Sequence, residues 1–113
     1  MIYAIDVGYK DNSAKSVCVS FNNWEASTSL KDYIVQVENV AAYVPGAFYK
    51  RELPCIEAVL DTIKLTAKDI IIVDGYVFLN DDGKPGLGHY LYEQLGQKIP
   101  IIGVAKSLSL IHI

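Results

Sequence analysis

The sequence predicts an α/β protein built on a mixed five-stranded sheet, in the order β-β-β-α-β-α-β, with flanking helices. Three observations carry this. Ile70-Ile71-Ile72-Val73 is a run of four β-branched residues, the pattern of a central strand buried on both faces. Lys15 to Phe21 and Asp32 to Val40 instead alternate polar and apolar residues with period two, as half-buried strands do. From about Arg51 to Leu65 the apolar residues Ile56, Val59, Leu60 and Ile63 recur at helical spacing.

In chain order, Met1 to Gly8 forms the first strand, and Tyr9-Lys10-Asp11-Asn12-Ser13 is rich in turn residues. Lys15 to Phe21 then pairs back as a hairpin. Asn22-Asn23 opens a loop that runs through Ser27-Thr28-Ser29 before the third strand, Asp32 to Val40. These three strands form an antiparallel meander. Tyr43-Val44-Pro45-Gly46 demands a turn. Pro54 fits the first helix only in its first turn, which places Glu52 at or just before the helix start. Ile70 to Val73 is the fourth strand. Asp81 to Gly86 is a loop, Leu87 to Leu95 a second helix with Gly96 as its C-cap, and Ile99 to Ala105 the fifth strand. The meander followed by right-handed crossovers resembles the ribonuclease H-like arrangement, in which the first strand is central and the fourth lies beside it.

Two acids stand out in this frame. The buried run at 70–73 ends in Asp74-Gly75, where open α/β sheets place their ligands, and the first strand carries Asp6 in an otherwise apolar run. If the two strands are neighbours, the two carboxylates converge.

At 113 residues the chain reads as one domain, residues 1–113, with a single core. No apolar run approaches the roughly 20 residues of a membrane span, and the first residues lead into a strand without a basic, then apolar, leader. Cys18 and Cys55 lack metal-ligand spacing and read as reduced thiols, so a cytoplasmic protein is expected. The formal charge of −3 argues against holding nucleic acid by bulk electrostatics. It is compatible with a site that holds a phosphate backbone through a divalent metal.

Four segments bear on function: Asp6-Val7-Gly8-Tyr9, Tyr43 through Pro54, Val73-Asp74-Gly75, and Ile102-Gly103-Val104-Ala105-Lys106-Ser107. In this order they resemble endonuclease V, a metal-dependent nuclease family of ribonuclease H-like fold that cuts nucleic acid near deoxyinosine or inosine. The resemblance covers nearly the whole chain but about the first half of a typical family domain. It implies Asp6, Glu52 and Asp74 as catalytic carboxylates holding Mg²⁺ or Mn²⁺, and Lys106 as a catalytic lysine. It further implies that Tyr43, with Pro45 and Gly46, wedges into nucleic acid, and that Gly75 lies against it. Hard oxygen ligands suit those ions, and a lysine at a strand end suits a phosphate.

The chain departs from the family after Asp74-Gly75. Tyr76-Val77-Phe78-Leu79-Asn80-Asp81-Asp82 stands where the family has a glycine and then a His-Pro-Arg segment, and the family's later segment is missing. Each residue also has an ordinary reading: Asp6 as a hydrogen-bonded structural acid, Asp74-Gly75 as a turn dipeptide, Glu52 as a complement to the helix dipole, Tyr43 as packing over a turn, and Lys106 as a solvated lysine. His89 reads as a helix surface residue and Trp24 as either a partner anchor or a lid on the core. Two functions follow: a metal-dependent endonuclease, or a catalytically inactive shortened relative that binds nucleic acid or protein. A homodimer covering apolar surface, including the tail Leu108 to Ile113, is expected with either.

Overall fold

A computed structural model describes residues 1–38, 40, 48–74 and 86–104. The elements are β1 (Ile2–Lys10), β2 (Ser13–Phe21), β3 (Lys31–Val37), α1 (Phe48–Leu60), β4 (Ile70–Asp74), α2 (Leu87–Gln94) and β5 (Ile101–Val104). This is the expected order. The five strands form one mixed sheet in the spatial order β3-β2-β1-β4-β5, which puts β1 at the centre. β1 pairs antiparallel with β2, and β2 with β3. β4 runs parallel to β1, and β5 parallel to β4.

Side chains alternate across a strand, so the register divides the sheet into two faces. Tyr3 and Ile5 of β1, Ser16 and Cys18 of β2, and Ile71 and Val73 of β4 are buried. They form one core with Ile56, Val59 and Leu60 of α1 and Leu87 and Leu91 of α2. Both helices therefore cover the same face. The buried Ser16 hydroxyl fastens α1 to it by donating to the Cys55 carbonyl at 2.7 Å. On the other face Ile34, Ile102 and Val104 are exposed.

The start of β4 is pinned to the start of β1. The Met1 ammonium meets the Asp69 carboxylate at 3.3 Å, and the Ile70 N–H donates to the Met1 carbonyl. Asp69 also accepts from the Thr66 N–H at 2.8 Å, which satisfies a buried acid. These contacts fix the offset between the two strands that carry the candidate acids.

The boundaries depart from the sequence-based expectation in places with physical causes. β1 runs on through Tyr9 and Lys10, because a two-residue turn suffices: Asp11 takes φ 56°, which a short polar side chain tolerates. β3 ends at Val37 rather than Val40. α1 begins at Phe48, so Pro54 lies in mid-helix rather than in the first turn. Proline there leaves the Lys50 carbonyl without its helical donor. Pro54 and Lys50 are both exposed, so water can take that place. α1 ends at Leu60, and the chain turns through Thr62 and Ile63 instead of remaining helical to Leu65. The end of α2 is as expected. Gly96 has φ 76°, the Gly96 N–H bonds to the Glu93 carbonyl, and the Gln97 N–H bonds to the Tyr92 carbonyl. That is the Schellman pattern, with glycine at its left-handed position.

Candidate functional site

The parallel pairing of β1 and β4 runs from Ile2 beside Ile70 to Ile5 beside Val73. One step further along the same register, Asp6 stands level with Asp74. Both carboxylates project from the face that the helices leave bare, and both are exposed. Asp74 is in turn level with Val104 at the end of β5. Asp6, Asp74 and Val104, with Ala4 and Ile72, line an open cleft of about 280 Å³. The Asp6 Oδ1 accepts from the Val7 N–H at 3.0 Å, which orients that carboxylate on its own strand.

Glu52 enters from α1 and is buried, with 5% of its surface exposed. Its Oε2 accepts the Tyr9 hydroxyl. The Arg51 guanidinium lies 3.6 Å from the centre of the Tyr9 ring, a cation–π contact that holds the phenol in place. The Arg51 Nε is buried there without a hydrogen-bond partner. Burial pushes the Glu52 carboxyl up to about 7, and the charges on Asp6 and Asp74 push it the same way.

The three acids are thus within electrostatic reach of one another. Yet among the described residues no three acids, histidines or cysteines close into a group able to hold a metal ion. These facts agree, because charge acts well beyond ligating distance and like charges hold themselves apart. Asp6 and Asp74 are brought together. Glu52 is brought to the same end of the sheet, but it is turned to Tyr9. The donor chemistry suits a hard divalent cation, since every candidate ligand is a carboxylate. One Glu52 oxygen bonds Tyr9, and the other has a lone pair to offer.

Tyr43, Pro45, Gly46, Gly75 and Lys106 lie outside the described residues. Tyr9 and Arg51 are the site residues that sequence reading missed. Local sequence places Tyr9 in a turn, and only its place in a strand facing α1 aims its hydroxyl at Glu52. Arg51 directly precedes Glu52, and no periodicity marks it out.

The Endonuclease V family pattern matches residues 1–113. The chain belongs to the endonuclease V family. Its fold is similar to the crystal structure of Endonuclease V from Bacillus subtilis, with a TM-score of 0.62 at 22% identity. That match covers 93% of this chain and 43% of the Bacillus chain. The chain therefore spans less than half the length of this relative, and the likeness speaks for the ribonuclease H-like fold. No curated protein matches the chain significantly. Among the described residues no helix is long and apolar enough to cross a membrane.

Proposed function

We propose that this chain is a metal-dependent endonuclease that hydrolyses phosphodiester bonds near deoxyinosine or inosine, in DNA or RNA, as a cytoplasmic protein. One observation carries the reading: Asp6 and Asp74 stand level on adjacent parallel strands of a family member, beside an open cleft. In this proposal Asp6 and Asp74 hold Mg²⁺ or Mn²⁺ jointly, and Glu52 completes the set with the oxygen that Tyr9 does not occupy. The ion, when bound, supplies a more acidic water and positive charge at the phosphate. Asp6 and Asp74 orient the phosphate by fixing where that charge lies. Tyr9 and Arg51 keep Glu52 from swinging into solvent. By resemblance to the family, Lys106 sets a further positive charge against the phosphate. Tyr43 stacks in the gap left by a displaced base, with Pro45, Gly46 and Gly75 alongside the nucleic acid.

A second reading is a catalytically inactive shortened relative that binds nucleic acid or protein. It is favoured by Glu52 being turned to Tyr9. Either reading includes a homodimer as a proposal.

The deciding experiment is cleavage of end-labelled strands with and without a single inosine, in Mg²⁺ or Mn²⁺, alongside Asp74→Ala. Metal-dependent cutting near inosine that is absent in the folded variant supports the nuclease. Well-folded protein that cuts neither strand rejects it in favour of the binding module.

A further inference from the structure

Two of the three candidate ligands have one carboxylate oxygen already engaged by a fixed donor. On β1 the Val7 N–H donates to the Asp6 Oδ1 at 3.0 Å. At the same end of the sheet the Tyr9 hydroxyl donates to the Glu52 Oε2. Tyr9 is clamped from two sides. Pairing with Ala14 fixes its backbone, and the Arg51 guanidinium lies 3.6 Å from the centre of its ring. Glu52 is held as firmly. Only 5% of its surface is exposed, and one turn later the Ser16 hydroxyl ties α1 to the sheet at the Cys55 carbonyl.

We propose that Tyr9 selects the cation: by holding one oxygen of Glu52 it makes this carboxylate a one-oxygen ligand, which favours Mg²⁺ or Mn²⁺ over Ca²⁺. The role rests on the metal-dependent reading of the site and adds to it a side chain that holds no metal. Tyr9 is a positioning residue, acting on the ion through Glu52.

The ground is the coordination that each ion demands. Mg²⁺ takes a near-octahedral shell at about 2.0–2.1 Å, which single carboxylate oxygens and waters can fill. Mn²⁺ likewise suits octahedral oxygen ligands. Ca²⁺ takes roughly six to eight oxygens at about 2.3–2.6 Å and readily uses both oxygens of one carboxylate. Two-oxygen binding puts the ion midway between those oxygens. A Glu52 with Oε2 turned to Tyr9 offers Oε1 alone. To chelate Ca²⁺ it must turn away, which strips the Tyr9 hydroxyl of its acceptor. The Val7 N–H restrains Asp6 in the same sense, but it is backbone and no side-chain change removes it. Tyr9 is therefore the position at which selection can be switched.

Calorimetric titration of metal-free protein with Mn²⁺ and, separately, with Ca²⁺ at pH 8 tests this in the parent, Tyr9→Phe, Glu52→Gln and the double variant. Tyr9→Phe keeps the ring beneath Arg51 and deletes the donor alone. The readout is the ratio of the two dissociation constants within each protein. Loss of folded fraction and competition from protons act on both ions alike, so neither moves that ratio. The parent should prefer Mn²⁺. Tyr9→Phe should narrow the preference by about tenfold or more, chiefly through tighter Ca²⁺ binding. In the Glu52→Gln background the same change should leave the ratio where it was. An unchanged ratio in Tyr9→Phe overturns the role of Tyr9. If Mn²⁺ still binds the parent and is lost on Asp74→Asn, the metal-dependent reading survives that outcome. A shift that persists without the Glu52 carboxylate also overturns it, because Tyr9 then acts by another route. A folded parent that binds no Mn²⁺ removes the metal-dependent reading and this role together.

Discussion

Asp6 and Asp74 occupy equivalent levels of two adjacent parallel strands, on the same face, although 67 residues separate them in the sequence. Their register partners are half-buried Val17 beside Asp6 and exposed Val104 beside Asp74, so the pair is presented by hydrogen-bonded strands rather than by a loop. Two carboxylates so placed repel each other, and a divalent cation relieves the repulsion. Mn²⁺ binding followed by calorimetry should therefore be lost on Asp6→Asn and on Asp74→Asn alike. The double variant should be no worse than either single one. Binding that survives one of these changes would remove that residue from the ligand set.

Tyr9 is the only hydroxyl that reaches the buried Glu52 carboxylate among the described residues. Tyr9→Phe keeps the ring beneath the Arg51 guanidinium and deletes the donor alone. An unsatisfied buried acceptor costs about 1–3 kcal/mol, so chemical denaturation above pH 7 should show a loss of that order. The loss should shrink when Glu52 is protonated. Denaturation at pH 5 and pH 8 separates the two states, and an equal loss at both would mean that the hydroxyl serves packing instead.

The same carboxyl makes stability depend on pH. Glu52 titrates near 4.5 ordinarily and is pushed up to about 7 in the fold. Between those values the folded chain keeps a proton that the unfolded chain has released. Stability from this group is fully present below about 4.5 and falls as pH rises through 7. At about 1.4 kcal/mol for each pH unit, the total is on the order of 3–4 kcal/mol. Glu52→Gln should flatten that slope in metal-free protein. If Glu52 is a ligand, Mn²⁺ should raise the melting temperature more at pH 8 than at pH 5.

The element order was legible in the sequence because it rests on burial and alternation. The pairing of β1 with β4 followed only from the resemblance to the ribonuclease H-like arrangement, since no local pattern says which strands are neighbours. A four-residue β-branched run has one comfortable place in a sheet, and an acid ending such a run is conspicuous. Alternation marked β2 and β3 equally well. The start of α1 was not legible. Pro54 argues locally for a helix beginning near Arg51, and tertiary packing of the Ile56, Val59 and Leu60 stripe outweighs the one lost hydrogen bond. Tyr9 was hidden for a similar reason: its neighbours are turn formers, and only pairing with Ala14 holds it in the strand. The orientation of Glu52 toward Tyr9 depends on a contact 43 residues away in sequence, which no local pattern encodes.

Ser16 connects the fold to the site. It is fully buried, and its hydroxyl donates to the carbonyl of Cys55, which lies one helical turn after Glu52 on α1. That carbonyl also belongs to the helix ladder, so Ser16→Ala should cost about 1 kcal/mol, the net value of an ordinary hydrogen bond. Its second effect is more specific. A helix released at Cys55 lets water reach Glu52, which weakens the burial that pushes this carboxyl up. The pH slope of stability between 4.5 and 7 should therefore be shallower in Ser16→Ala than in the parent. Denaturant titrations across that window measure both quantities at once. A stability loss with an unchanged slope would show that α1 is held over the site by its apolar stripe alone.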